Sequence, residues 1–307
     1  MVRYLSDASG RALWTPTGRV FNRGFFPVDV ELSILLALAA AGASILGSML
    51  GLGGGVFIVP LFTLFLDVDP KIAVAASAIA VVTNSVVGST RHLRNRFVNI
   101  RLSMLLEVST ALGAIVGALI AVAVSAGFLE ALLGVVLLYA AWSMLRGRRI
   151  EIPNVAPDEP DPLRLMDAYP EGKTGRIIRY VPRRVSLGVG ASAGAGVISG
   201  MLGIGGGIVQ VPMMNLLMKV PVRAAAGTSS FMVGMTAVAT ATVFYASGKI
   251  DPQVTVPAML GVLLGSNVGS ILTKRLKVDR LVIIFVVVMV YLGASMVLSA
   301  FDINPLG

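Results

Sequence analysis

The sequence predicts an all-α polytopic membrane protein made of two inverted repeats of five elements each, with Gly-rich broken or re-entrant helices and about eight to ten membrane helices in all. The first observation is composition: 56% of the residues are hydrophobic, 13% are charged and the mean hydropathy is +0.86, outside the range of soluble domains. The second is a Gly-rich phrase at residues 51–55 that recurs at 203–207. The third is an exchange of basic residues between equivalent connections of the two halves.

Ten apolar segments follow one another in two sets of five. An offset of 152 residues, from Gly51 to Gly203, superimposes the two sets without a gap, which indicates an internal duplication. Gly113 and Gly117 fall on Gly265 and Gly269, and their four-residue spacing is typical of helix-packing seams. The predicted segments are 30–50, 54–66, 71–90, 102–125 and 128–145, then 185–202, 206–219, 223–246, 254–273 and 280–300.

The chain divides into an N-terminal extension (1–29), membrane repeat 1 (30–145), a cytoplasmic connector (146–184) and membrane repeat 2 (185–307). The extension contains arginines but no apolar run typical of a signal peptide. The connector is polar and rich in proline, which predicts an extended linker. Its tail, at 175–182, can form a short strand.

The segments that follow the two Gly-rich phrases, 56–66 and 208–218, are too short to cross about 30 Å of hydrocarbon as upright helices. We therefore interpret each as the second arm of a broken or re-entrant hairpin. Backbone that leaves the helix inside a membrane must be buried in protein or line a wet cavity. Short, interrupted segments at matching positions in two halves point to a substrate site near the midplane.

The basic residues predict opposite orientations for the two halves. In the first half the third connection, 91–101, is basic, whereas the fourth, 124–128, has no lysine or arginine. In the second half the third connection, 247–253, holds one lysine and the fourth, 273–280, is basic. If basic connections stay in the cytoplasm, equivalent connections lie on opposite sides of the membrane. This scheme leaves both termini outside, and the arginines of the extension argue against that placement.

The two Gly-rich phrases are the first candidates for a substrate site. A helix N-terminus exposes unpaired amide donors and carries about half a unit of positive charge, which suits an anion without a buried cation. Glycine lets the backbone approach a ligand closely. The alternative interpretation is close packing of small residues between helices. The candidate residues are Gly51, Gly53, Gly54, Gly55, Gly203, Gly205, Gly206 and Gly207.

Polar side chains near these phrases are further candidates for substrate binding. Ser77 in the first half, and Thr228 and Ser229 in the second, stand near the start of the next helix. Their hydroxyls can bind an anion or cap the helix. Asn84 is predicted to lie at membrane depth, where an amide side chain forms hydrogen bonds between helices or lines the substrate pathway. Gln210 replaces an apolar residue of the first copy and so breaks the symmetry where a substrate would lie.

Five titratable residues are candidates for gating or proton coupling. Lys71 and Arg223 occupy equivalent segment ends, a placement that favours interfacial snorkelling over direct substrate contact. Glu107 lies inside an apolar segment, where a carboxyl is a candidate carrier of a proton or ion. The alternative is that Glu107 lies at the membrane interface. Arg91 and His92 lie together at a segment end, where a histidine is an interfacial residue or a proton switch.

Several function classes are disfavoured by composition. The chain has no cysteine and one histidine, and no carboxylates cluster at membrane depth, so we expect no metal site, no cofactor and no enzymatic activity. The net charge of +9 falls mainly in the extension and the connections, so we expect no nucleic-acid partner. The expected partners are a small anionic substrate, the lipid bilayer and a coupling proton as a further candidate. The sequence leaves the oligomeric state open.

At these motifs the chain resembles the sulfite exporter TauE/SafE family of anion transporters, also called TSUP. The resemblance rests on the phrase Gly-x-Gly-Gly-Gly-x4-Pro at 51–60 and 203–212, on Gly-Thr-Ser at 227–229, and on a His-x-Arg segment that leads to Val98. Asn99 stands where many relatives have aspartate. The resemblance implies a multi-pass carrier of the bacterial cytoplasmic (inner) membrane for small sulfur-containing anions such as sulfite, sulfoacetate or related sulfonates.

Together these observations predict a secondary transporter that works by alternating access and holds its anion with the backbone amides of the two Gly-rich breaks. A passive anion channel of the same architecture is the alternative.

Overall fold

The computed structural model describes residues 5–6, 12–13, 30–50, 54–94, 97–147, 160–171, 176–272 and 278–301. Within these residues the chain is predominantly helical, so the predicted all-α class is confirmed. The first half contains α1 (Val30–Leu50), α2 (Gly55–Leu66), α3 (Pro70–Arg94), α4 (Ile100–Ala123) and α5 (Ala126–Gly147). The second half contains α6 (Val185–Leu202), α7 (Gly207–Leu216), α8 (Val222–Ala246), α9 (Pro252–Leu272) and α10 (Val278–Ser299). The strands β1 (Leu5–Ser6) and β2 (Ala12–Leu13), and β3 (Asp167–Glu171) and β4 (Arg176–Tyr180), form two antiparallel pairs.

Six helices of the described residues are long and apolar enough to cross a membrane: α1, α3, α4, α5, α6 and α8. Two shorter apolar helices, Gly55–Leu66 and Ile283–Ser299, accompany them. Large apolar side chains such as Leu38, Val108 and Leu264 are more than half exposed on the outer helix faces. Lipid covers such a surface favourably and water does not, so the fold is that of a polytopic membrane protein.

The two halves pack by the same plan. Helix α1 lies along α9 as α6 lies along α4, and α3 packs on α9 as α8 packs on α4. The equivalent helices α3 and α8 contact each other, as do α5 and α10. If each helix is replaced by its counterpart in the other half, the pair α1 with α9 becomes α6 with α4, and the pair α3 with α9 becomes α8 with α4. The pairs α3 with α8 and α5 with α10 are unchanged by this replacement. The duplication in the sequence is thus also a repetition in the packing.

Glycines make the closest helix contacts possible. A Cβ added at Gly113 or Gly117 would collide with the backbone of α6, and a Cβ added at Gly265 or Gly269 would collide with α1. The predicted packing seams are confirmed. Dispersion and close backbone approach hold these helices together, since lipid tails remove most of the hydrophobic drive for association.

Helix α7 is the returning arm of a re-entrant hairpin. The N–H of Arg183, just before α6, donates to the carbonyl of Met218, just after α7, at 2.8 Å. A Cβ at Gly188 would also meet the Met218 side chain. The end of α7 therefore lies on the side of the molecule where α6 begins, as the short length of the segment indicates.

The connector packs against the helices in its described part. Tyr169 of β3 and Tyr180 of β4 are buried, and the ring of Phe97 meets the Tyr169 ring edge-on at 5.6 Å between centroids. Burial raises the pKa of the Tyr180 hydroxyl and the pKa of Asp167 above their ordinary values. Strand β4 agrees with the strand expected in the tail. Strand β3 was missed, because its Asp, Pro and Glu residues disfavour strands.

Asn99 joins the connector to two helices. Its Oδ1 accepts from the N–H of Leu102 at 3.0 Å and so caps α4, while its Nδ2 donates to the carbonyl of Leu165 at 2.8 Å. Its backbone N–H donates to the hydroxyl of Thr228 at 3.1 Å. An aspartate would keep the cap but would lose the donor to Leu165. This donor gives asparagine a physical role at the position.

The glycine seams predict a strong position dependence on α6. A Cβ at Gly196 would collide with the backbone of Thr110, whereas nothing lies within 4 Å of a Cβ at Gly194. Overpacking costs about 1–3 kcal/mol, so we expect Gly196→Leu to lower the melting temperature of the detergent-purified protein by several degrees. The control Gly194→Leu should change it by less than about 2 °C. Equal melting temperatures for the two variants would contradict the seam.

Candidate functional site

The two Gly-rich breaks touch each other. The Oγ of Ser77, on α3, lies 3.1 Å from the carbonyl oxygen of Gly55 at the start of α2 and 3.1 Å from that of Gly203 at the end of α6. Its hydroxyl donates to these two acceptors and joins the breaks of the two halves. Ser77 does not cap its own helix, because the Asp69 carboxylate accepts the first N–H groups of α3.

Both short helices begin after a left-handed glycine. The N-cap residues are Gly54, with φ 73°, and Gly206, with φ 83°, and neither provides a side-chain cap. The first N–H groups of each helix, at Gly55 and Gly207, have no acceptor within their own helix. These amides and the helix dipole give each start a partial positive charge. The candidate residues Gly51 and Gly53 lie outside the described residues.

The second break carries polar side chains at its N-terminus. The hydroxyl of Ser229 donates to Oε1 of Gln210 at 3.2 Å, which leaves the Nε2 group of Gln210 for another partner. Neither that Nε2 nor the Oγ of Ser199 has a hydrogen-bond partner among the described residues, and both side chains are 0% exposed. A Cβ at Gly206 would lie 3.4 Å from each of these two atoms. Two unpaired donors therefore face the backbone at the start of α7.

The first break lacks these donors. The offset of the duplication places Ile58 opposite Gln210 and Gly47 opposite Ser199. A Cβ at Gly47 would collide with the backbone of Gly54, so a serine does not fit there. Gln210 is predicted from the sequence, whereas Ser199 is not. The signal is present in the aligned halves, which pair a hydroxyl with a glycine about one turn before the Gly-rich phrase.

The described parts of the breaks are buried. Gly54 and Gly55 are buried, as are all of residues 201–207. A groove of about 680 Å³ lies elsewhere, between α1, α2 and α10, and apolar residues such as Phe57, Leu61 and Leu292 line it. Of the two situations open to interrupted backbone, burial in protein and exposure to a wet cavity, the structure shows burial. The donors are enclosed.

Two predicted binding residues make no hydrogen bond to a break within the described residues. The hydroxyl of Thr228 accepts the N–H of Asn99 at the start of α4. Asn84 lies about two turns beyond Ser77 on α3, buried, and its Oδ1 has no partner among the described residues. The structure thus brings Ser77, Ser229 and Gln210 to the breaks, but not these two side chains.

The cationic candidates lie at helix ends. The Nζ of Lys71 donates to the carbonyl of Val122 at 2.9 Å, near the C-terminus of α4, where a positive charge is favourable. Arg223 is exposed in the first turn of α8. Both positions agree with the interfacial interpretation. The side chains of Arg91 and His92, on the last turns of α3, lie outside the described part of the structure.

Glu107 is enclosed within the bundle. The side chain is 4% exposed, and its Oε1 accepts the Thr236 hydroxyl of α8 at 3.0 Å. Its Oε2 has no partner among the described residues. Helix α4 packs against α8 along this face, so protein covers the carboxyl. The role of Glu107 as a proton or ion carrier stays a prediction.

The fold and the comparisons define the class of this protein as a multi-pass membrane transporter. The sequence model of the family described as Sulfite exporter TauE/SafE matches residues 36–296. The chain therefore belongs to the sulfite exporter TauE/SafE family.

Similar curated proteins carry transporter names. The chain is 21% identical to the "Probable membrane transporter protein YunE" of Bacillus subtilis, over 86% of this chain and 97% of that protein. It is 23% identical to the "Probable membrane transporter protein MJ0441" of Methanocaldococcus jannaschii, over 86% and 95%. It is 24% identical to a "Probable membrane transporter protein" of Xylella fastidiosa, over 81% and 88%. No solved structure shows significant similarity to the chain.

The contact between the breaks predicts that Ser77 supports stability. In Ser77→Ala the carbonyls of Gly55 and Gly203 lose a buried donor. The Gly55 carbonyl keeps its bond within α2, whereas an unsatisfied buried group such as the Gly203 carbonyl costs about 1–3 kcal/mol. We expect the melting temperature of the purified protein to fall by several degrees. The control is Thr83→Ala on the same helix, because the Thr83 hydroxyl bonds only locally to the Ile79 carbonyl. A fall no larger than that of the control would contradict the bridging role.

Proposed function

We propose that this protein is a secondary transporter that moves a small sulfur-containing oxyanion, such as sulfite, sulfoacetate or a related sulfonate, across the bacterial cytoplasmic membrane. The observation that carries the proposal is a pair of buried donors, from Ser199 and Gln210, at a helix N-terminus inside the bundle, which find no partner in the described part of the chain. Family membership and the transporter names of the relatives support the transport function.

The chemistry of the breaks favours an oxyanion over other small solutes. At the second break, the side-chain groups that have no partner within the described ranges are an N–H and an O–H donor, which match the acceptor oxygens of a sulfonate or sulfite. A cation would need acceptors instead. Among the described residues Glu107 is the one charged side chain that is buried, so helix dipoles and neutral donors provide the attraction.

The closed packing of the breaks supports a carrier rather than an open pore. In the proposed cycle this enclosed arrangement is an occluded state, and the halves rock to open the breaks to one side and then to the other. Glu107 is the proposed proton carrier, because its carboxyl lies inside the bundle with one oxygen unpaired in the described structure. Arg91 and His92 remain proposed gating residues.

We also propose that the two halves have inverted topology. The equivalent helices α5 and α10 contact each other: a Cβ at Gly134 would meet Gly293 and Val297, and a Cβ at Gly293 would meet Leu137 and Leu138. As residue numbers rise along α5, the contacts move to lower numbers on α10, which is the pattern of an antiparallel pair. Equivalent helices that run antiparallel support a two-fold axis in the membrane plane.

Single cysteines in the cysteine-free chain test the topology. Ser125, in the fourth connection of the first half, and Ser247, in the third connection of the second half, are both exposed. Inverted halves place these connections on the same side of the membrane, so an impermeant maleimide should label Ser125→Cys and Ser247→Cys in intact cells. Leu163→Cys in the connector should react only after permeabilisation. Labelling of 125 and 247 from opposite sides would indicate parallel repeats.

Transport by purified protein in liposomes tests the function. We expect uptake of radiolabelled sulfite or sulfoacetate to saturate with concentration and to be stimulated several-fold by unlabelled anion inside the vesicles, because an alternating carrier exchanges faster than it returns empty. Protein-free liposomes are the control. Conductive flux without counterflow would favour the channel, and no flux of any sulfur anion would refute the proposed substrate class.

A further inference from the structure

We propose that the second half alone provides the anion-binding groups, and that this site selects a monoanion over a dianion. The site consists of the N-terminus of α7, the Ser199 hydroxyl and the Nε2 group of Gln210. This inference rests on the proposed anion transport. It assigns a binding role to Ser199 and removes that role from the first break.

The Ser229 hydroxyl fixes the orientation of the binding amide. Because it donates to Oε1 of Gln210, it fixes which end of the amide faces α8 and leaves the two N–H groups of Nε2 as donors. The Nε2 group then lies beside Gly206, as does Ser199. Helix α7 is ten residues long, so its dipole reinforces these donors. Two fully buried donors that have no partner among the described residues destabilise the ligand-free state, and an oxyanion at the start of α7 would satisfy both.

A serine near the first break, at a position that is not equivalent to Ser199, already has a hydrogen-bond partner. Ser44 packs against Gly54 as Ser199 packs against Gly206, but its hydroxyl donates to the carbonyl of Val262 at 3.2 Å. Ile58 provides no donor. The start of α2 therefore lacks the side-chain donors that the start of α7 has, and the first break acts as the packing partner that Ser77 holds in place.

The charge balance of the site determines which anions fit. The N-terminus of α7 carries about half a unit of positive charge, and the adjoining start of α2 adds a similar amount. The described part of the chain buries no lysine or arginine, and its one buried charged residue, Glu107, is a carboxyl. One negative charge is nearly balanced by the dipoles, whereas a second would stay uncompensated in a medium of low dielectric constant. A singly charged anion, such as a monosulfonate or hydrogensulfite, fits best, whereas sulfoacetate, which carries two charges at neutral pH, fits less well.

Binding measurements on the full-length, detergent-purified protein test this assignment. Methanesulfonate is the monoanionic probe and sulfate, at equal ionic strength, is the dianionic probe. We expect methanesulfonate to raise the melting temperature of the wild type in proportion to the logarithm of its concentration, and to bind at least tenfold more tightly than sulfate. Ser199→Ala and Gln210→Ile should each weaken methanesulfonate binding at least tenfold. The matched control Ser44→Ala should keep the wild-type affinity.

The ligand-free melting temperatures separate a binding role from a structural one. Removing the unpaired hydroxyl in Ser199→Ala should leave the melting temperature unchanged or raise it, whereas Ser44→Ala removes a satisfied hydrogen bond and should lower it. A lower melting temperature for Ser199→Ala, with unchanged methanesulfonate affinity, would overturn the assignment of Ser199.

The possible failures are distinguishable. If the wild type binds methanesulfonate and both second-half variants bind it equally well, the location of the site is wrong while the transport proposal stands. If sulfate binds as tightly as methanesulfonate, the selection by charge is wrong. If the wild type neither binds nor transports any of the sulfur anions, the proposed function itself fails, and the inference fails with it.

Discussion

The structure depends on one shared hydrogen-bond donor, the hydroxyl of Ser77, which lies between the carbonyl oxygens of Gly55 and Gly203. Inside a membrane, backbone that leaves the helix cannot take its hydrogen bonds from water, so each break must find partners within the protein. Here the breaks of the two halves meet through a side chain of a third helix. Separating them without a replacement donor would deprive the Gly203 carbonyl oxygen of this hydrogen bond in a medium of low dielectric constant.

The scaffold is symmetric, but its chemistry is not. Glycines bring α1 onto α9 and α6 onto α4 in the same way. The pairs α3 with α8 and α5 with α10 each join a helix to its counterpart in the other half. The polar groups follow no such rule, since Gln210 replaces Ile58 and Glu107 replaces Met259 at equivalent positions. Equivalent packing allows two halves to move against each other, while unequal polar groups concentrate specific binding in one of them.

The connector is attached close to this chemistry. Asn99 bonds to Leu165 of the connector and to Thr228 of α8, and Ser229, the next residue, holds the amide of Gln210. Consecutive residues of α8 therefore serve two purposes, since one anchors the start of α4 and the other orients a donor at the break. A segment that composition identifies as a polar linker is thus part of the support of the candidate site.

The sequence by itself determined the class, the helical elements, the duplication and the places where helices break. The lengths of the apolar segments, the Gly-rich phrases and the offset between the two halves can all be read from the order of residues, without knowledge of the packing. It also identified Gln210, since the departure from the first copy is visible in the aligned halves. Only the tertiary structure decided which polar atoms keep a partner. Ser77 and Gly203 are 126 residues apart, and Thr228 is turned towards Asn99 and away from the break. The aligned halves also pair Ser199 with Gly47, but whether the Ser199 hydroxyl finds a hydrogen-bond partner depends on the neighbouring helices that packing brings to it.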